Sequence, residues 1–116
     1  MIYSSVSIIN VTRRLNYINN ILNNFLRQNI ENKELIIVIN NNSINMNDYK
    51  KLTANYHNIH IYTLDESITL GSCLNFAIKK CKYDIIAKFD DDDYYGHYHP
   101  TRNHTGHSSV HIWFFD

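Results

Sequence analysis

Apolar residues are distributed along this chain with two alternating periods. Short β-branched runs, "VSII" at 6–9, "ELIIVI" at 34–39, "IHIYT" at 59–63 and "DIIAKF" at 84–89, are continuous enough to be strands buried on both faces. Between them the spacing becomes helical. Leu15, Ile18, Ile21, Leu22, Phe25 and Leu26 make one apolar face, for which Thr12 is a candidate N-cap. Leu70, Leu74, Ala77, Ile78 and Cys81 make another, with Gly71 near its start, and Asp48 to Tyr56 reads as a short helix. Strands alternating with helices predict an α/β fold: a mostly parallel sheet with helices on both faces.

That architecture gives the polar segments a meaning. Ligands of open α/β sheets bind outside the carboxyl ends of the strands. Three polar clusters fall at such ends: Asn10 to Arg14, Asn40 to Ser43, and Asp90 to Asp93. The pattern therefore predicts that they meet along one edge.

The third cluster carries the strongest chemical signal. Adjacent carboxylates raise one another's pKa unless positive charge lies between them, and a divalent cation is the simplest remedy. Oxygen-only ligands favour a hard ion, Mg²⁺, Mn²⁺ or Ca²⁺. An ion held by one or two carboxylates, with positions left open, is also a way to hold a diphosphate. The competing reading is a solvated acidic turn. An EF-hand loop starting at Asp91 fails, because Tyr95 and Arg102 stand at its fifth and twelfth positions and no helix precedes it.

Composition narrows the classes. With 116 residues there is room for one domain, 44% hydrophobic and 19% charged, with zero formal net charge. Nothing here points to nucleic acid. No signal peptide or membrane-spanning run is apparent, and Cys73 and Cys81 suit a reducing compartment, so a soluble cytoplasmic protein is expected, with peripheral membrane contact left open. On one helix, eight residues apart, the two thiols would be about 12 Å from each other, too far for a disulfide.

The chain changes character after Gly96. Up to there it is rich in Ile, Asn and Lys. The remainder has no Lys but holds five of the seven histidines (His97, His99, His104, His107, His111), the only Pro and the only Trp. Their spacing fits no common zinc pattern. Residues 97–116 are expected to be an atypical His-rich tail, disordered or out of frame, after a domain spanning 1–96.

Taken in order, "VSII" with its polar turn, a helix ending "FLRQ", "ELIIVI" with a second polar turn, and "LGSCLNFAIKKCKYDIIAKFDDDDYY" resemble the family 2 glycosyltransferases over roughly residues 6–95. The resemblance implies the N-terminal, donor-binding part of a GT-A fold. It also implies a nucleotide-diphospho-sugar donor, Mn²⁺ or Mg²⁺ as cofactor, and an acceptor of unspecified kind, whether saccharide, lipid or protein. The family's Asp-x-Asp-Asp motif falls on Asp90 to Asp93, so Asp90 and Asp92 would hold the metal, with Asp91 beside the nucleotide sugar. Thr12 and Arg13 match the turn near the nucleotide. Asn75 matches an Asn on the helix before the acidic motif, where a plain helix-surface or capping role is the equal alternative. Lys88 could face the phosphates or simply point to solvent.

Two departures stand out. The Asp-Asp pair expected after the second strand is Asn40–Asn41, so Asn41 would contact a base without supplying charge. The acceptor region and carboxylate base that follow the acidic motif in the family have no counterpart here, which implies a truncated or frameshifted chain that is inactive alone. The alternative is a non-catalytic nucleotide- or metal-binding α/β module. It is weakened by the lack of any Gly-x-Gly-x-x-Gly or Walker pattern.

Overall fold

The computed structural model describes residues 5–96, 104–107 and 110–114. Its elements run β1 (Ser5–Thr12), α1 (Ile18–Arg27), β2 (Asn32–Ile39), α2 (Met46–Thr53), β3 (Ile59–Thr63), α3 (Leu70–Lys80), β4 (Ile85–Lys88), β5 (His104–His107) and β6 (Val110–Phe114). They form one sheet in the order β3-β2-β1-β4-β6-β5. Each pair from β3 across to β6 is parallel, and β5 runs antiparallel to β6. The α/β class and the mostly parallel sheet are as the alternation predicted.

Strand alternation explains why the central strands read as unbroken apolar runs. Val6 and Ile8 of β1, with Leu35, Ile37 and Ile39 of β2, point into one core, together with Ile18, Ile21, Leu22 and Phe25 of α1 and Tyr49 of α2. Ile9, Ile36, Val38 and Ile86 point the other way, against Cys73 and Ala77 of α3. Helices therefore cover both faces. Handedness requires this: the chain moves outward from β1 to β2 to β3, then returns past β1 to β4. A right-handed crossover in the reverse direction must pass over the opposite face.

The helix boundaries differ from expectation in instructive ways. Thr12 does not cap α1; it is the last residue of β1, and α1 begins after Tyr17 without a side-chain cap. Leu15 precedes the helix and is exposed, as is Leu26. In α3 the buried face is built from small side chains, Cys73 and Ala77, while Leu70 is exposed. Cys81 is the C-cap of α3, so the two cysteines do not both lie within the helix; both are free. Burial pushes the Cys81 thiol up to about 12.

The segment expected to be a tail is placed, in part, in the sheet. β6 pairs with β4 in the register Ile85↔His111 to Lys88↔Phe114. Residues 97–103, 108–109 and 115–116 lie outside the described residues. No helix among the described residues is long and apolar enough to cross a membrane.

Candidate functional site

The carboxyl ends of β1, β2 and β4 lie side by side because the ladder continues past each strand. Asn40 N–H donates to the Thr12 carbonyl, Leu64 N–H to Ile39 and Phe89 N–H to Ile9. The switch in strand order falls between β1 and β4, which is where such sheets open a crevice. All three polar clusters of the sequence meet along this edge.

The four aspartates are not equivalent. Asp91 is buried, with 6% of its surface exposed. Its carboxylate accepts from Asn10 Nδ2 at 2.8 Å and Thr12 Oγ1 at 2.8 Å, and Arg14 Nε lies 3.4 Å away. Asn10, fully buried at the end of β1, also donates to the Phe89 carbonyl. These bonds tie the acidic segment to β1. On either side of this anchor the side chains of Asp90 and Asp92 are half exposed. Lys88 Nζ lies 2.6 Å from Asp90, and Arg14 Nη2 lies 3.6 Å from Asp92. Asp90, Asp91, Asp92, Lys88, Arg14, Phe89, Val11 and Leu70 line a cavity of about 180 Å³.

The partners available to each carboxylate make this division. Burying one carboxylate of a run is tolerable when hydrogen-bond donors and a cation surround it. Its neighbours Asp90 and Asp92 keep water contact. The result is two displayed carboxylates, a partner cation close to each, and an apolar wall supplied by Val11 and Leu70.

Tyr95 closes the segment. Its ring stacks on Phe89 with centroids 4.1 Å apart and planes 6° from parallel. Its hydroxyl accepts the Asp90 N–H at 2.9 Å. Burial is the main reason that this phenol is pushed up to about 12, and its hydroxyl in turn donates to Asp93 Oδ2 at 3.4 Å.

The other residues singled out from the sequence are distributed as follows. Arg13 turns away from the acidic segment, and its Nη2 donates to the Glu66 carbonyl. Asn41 is engaged at both ends of its amide, donating to the Arg13 carbonyl and accepting from Ser43 N–H. Asn40 is buried and donates to the Asp65 carbonyl. The carboxylate of Asp65, held by the Ser67 hydroxyl and N–H and by Asn42, is lowered to about 2. These bonds knit the loops after β1, β2 and β3 into one rim. Asn75 is exposed on α3 and is not part of the cavity wall, which Leu70 reaches from the start of that helix. Thr12 and Asp91 are brought together, but as partners of each other.

Asn10, Val11 and Arg14 fell inside the first polar cluster without being singled out as site residues, and Leu70 was read only as part of a helix face. The pair Arg13–Arg14 was visible, but only the fold decides which guanidinium turns toward the aspartates. Asn10 had a signal of its own, a polar residue closing a run destined for burial.

Residues that could hold a metal are limited. Among the described residues, no group of three or more His, Cys, Asp or Glu could hold an ion by itself. Asp90 and Asp92 are the oxygen donors displayed at the lip of the cavity, and an ion there would need further ligands from elsewhere.

Comparison with known proteins agrees with this architecture. The sequence model described as glycosyl transferase family 2 matches residues 5–99. An O-antigen biosynthesis glycosyltransferase, WbnJ, of Escherichia coli is 34% identical over 95 residues, covering 79% of this chain and 37% of that protein. A UDP-Gal:alpha-D-GlcNAc-diphosphoundecaprenol beta-1,3-galactosyltransferase of the same organism is 40% identical over 38 residues, covering 33% of this chain and 14% of that protein. The chain thus matches little more than a third of the length of the first relative and about a seventh of the second. No solved structure gives a significant match. With the family matched across nearly all of the described α/β unit, and with a parallel sheet that turns at the acidic crevice, the chain belongs to glycosyl transferase family 2 and has the α/β nucleotide-sugar transferase fold, GT-A, which that family implies.

Proposed function

We propose that this chain binds a nucleotide-diphospho-sugar donor at the carboxyl edge of β1 and β4, as the donor side of sugar transfer. Asp90 and Asp92 share a divalent cation, Mn²⁺ or Mg²⁺, with the donor diphosphate. The observation that carries the reading is the alternation of the acidic run: Asp91 is anchored by Asn10 and Thr12, while Asp90 and Asp92 stand half exposed on the cavity. Lys88 and Arg14 are close enough to these carboxylates to balance them before a ligand arrives and to meet phosphate oxygens afterwards.

When bound, the cation would offset the charge on the departing nucleoside diphosphate. The chain's own contribution is to place the two carboxylates and two cations on one side of the crevice, against an apolar wall of Val11 and Leu70. A carboxylate that holds a cation is a poor base, so deprotonation of the acceptor hydroxyl is assigned to another segment, and transfer by these residues alone is expected to be negligible. One relative's name contains UDP-Gal and a diphosphoundecaprenol-linked sugar, which makes UDP the natural probe and a lipid-linked saccharide the first acceptor to try.

Calorimetry with Mn²⁺, with and without UDP, tests the reading. The ion should bind at least tenfold more tightly when UDP is present, and Asp92→Ala should lose that gain. Equal Mn²⁺ affinity in both conditions would sink the proposal. UDP binding indifferent to Mn²⁺ and to Asp92→Ala would favour a non-catalytic nucleotide-binding module instead.

A further inference from the structure

Helix α1 carries a second stripe beside its apolar one. Asn20, Asn24 and Arg27 fall at spacings of four and seven residues, which places them on one helical face, and Gln28, the C-cap, extends the row. Their polar groups are directed at the backbone of the acidic segment. Asn20 Nδ2 donates to the carbonyls of Asp91 at 2.6 Å and Asp93 at 2.9 Å. Asn24 Nδ2 donates to the Asp93 carbonyl at 2.8 Å, and its Oδ1 accepts the Tyr95 N–H at 2.8 Å. Arg27 Nη1 donates to the Tyr95 carbonyl at 2.9 Å, with its guanidinium 4.2 Å from the centre of the Tyr94 ring. Gln28 Nε2 donates to the Gly96 carbonyl at 2.7 Å.

The segment after β4 needs such partners. Residues 90–94 belong to no helix or strand, so their backbone is not part of a regular ladder. The side chains of α1 supply what a neighbouring strand would otherwise supply. The held carbonyls of Asp91 and Asp93 also alternate with the displayed side chains of Asp90 and Asp92. Asp92 lies between the two held carbonyls and Asp90 just before the first, with its own N–H held by Tyr95 Oη, so both side chains leave a fixed backbone.

We infer that the polar stripe Asn20, Asn24, Arg27 and Gln28 is the positioning element of the acidic segment, preorganising Asp90 and Asp92 for a cation shared with a diphosphate; the inference rests on the donor-binding reading above. These residues touch neither ligand. They act through the backbone they hold, so loss of one should weaken metal binding without unfolding the sheet.

The test uses the whole chain with Asn20→Ala, and with Asn23→Ala on the exposed side of the same helix as control. Hydrogen exchange reads the order of residues 90–95 and of β2 without ligand, and Mn²⁺ paramagnetic resonance with UDP reads affinity. Asn20→Ala should speed exchange across 90–95, leave β2 and the melting temperature near wild type, and weaken Mn²⁺ binding in the presence of UDP about tenfold or more. Asn23→Ala should do none of this. Arg27→Met repeats the experiment at the other end of the stripe, so that a folding defect in one variant does not decide the result. Wild-type Mn²⁺ affinity in both stripe variants, or unchanged exchange at 90–95, overturns the inference while leaving donor binding intact. A wild-type chain that takes up no Mn²⁺ with UDP overturns both, and is distinguished by its failure before any substitution is made.

Discussion

Asp91 and Asp92 are neighbours of identical chemistry with opposite expected behaviour. Asp91 is the acceptor for Asn10 and Thr12, both buried. Asp91→Ala leaves a buried Thr12 hydroxyl without that acceptor and removes a counter-charge from Arg14. The expected loss is about 2 kcal/mol, or roughly 8 °C in melting temperature for a domain of this size. Asp92 is half exposed with a long contact to Arg14, so Asp92→Ala should change stability by no more than about 0.5 kcal/mol. Thermal melts of the two variants, set beside their UDP-dependent Mn²⁺ affinities, separate the anchor from the proposed ligand. Equal destabilisation would mean that the division between them is wrong.

Helix α3 shows how an element can place a site residue without supplying chemistry. Thr69 caps it, with Oγ1 accepting the Ser72 N–H at 3.2 Å. The helix can approach the sheet closely because Cys73 and Ala77 are the side chains buried beneath it. The cap fixes where the first turn starts, and that turn carries Leu70 to the cavity wall. Thr69→Ala should cost about 1 kcal/mol, read by denaturant titration. Ser at the same position should recover most of it, because Ser is an equally good cap. Failure of Ser to recover stability would show that the Thr69 methyl, not the cap, matters.

For the molecule as a whole, ligand and fold are linked by mass action. Mn²⁺ with UDP at about a hundred times their dissociation constant should stabilise the native state by about 2.7 kcal/mol. The melting temperature should then rise by roughly 10 °C. EDTA should abolish the shift, and neither Mn²⁺ nor UDP alone should reproduce it. The reason is local electrostatics. In the ligand-free chain Lys88 and Arg14 already offset part of the charge on Asp90 and Asp92, which weakens the pull on a lone cation. On the proposed reading, a diphosphate that engaged those two side chains would free the carboxylates.

The order of elements was legible along the chain because it rests on local periodicity. Runs such as "ELIIVI" are apolar at every position only when both faces of a strand are covered, and the matching helices follow from that. Ile59–Thr63 is a strand with the bounds its pattern predicts. The convergence of the three polar clusters was also legible, since parallel strands put their carboxyl ends on one edge. The roles within that edge were not. A run of four aspartates has no local feature that marks one for burial; Asp91 is chosen because Asn10 and Thr12, about 80 residues earlier, reach it across the β1–β4 pair. Arg14 rather than Arg13 faces the acids for the same reason, the turn after β1 being set by its contacts with α2, where Tyr49 Oη donates to the Arg14 carbonyl. Asn20 and Asn24 read as ordinary polar positions of an amphipathic helix. Only packing α1 against the sheet brings their amides to carbonyls some 70 residues away. Periodicity is a property of neighbours along the chain, whereas the partner of a hydrogen bond is decided by which distant segment the core brings within about 3 Å.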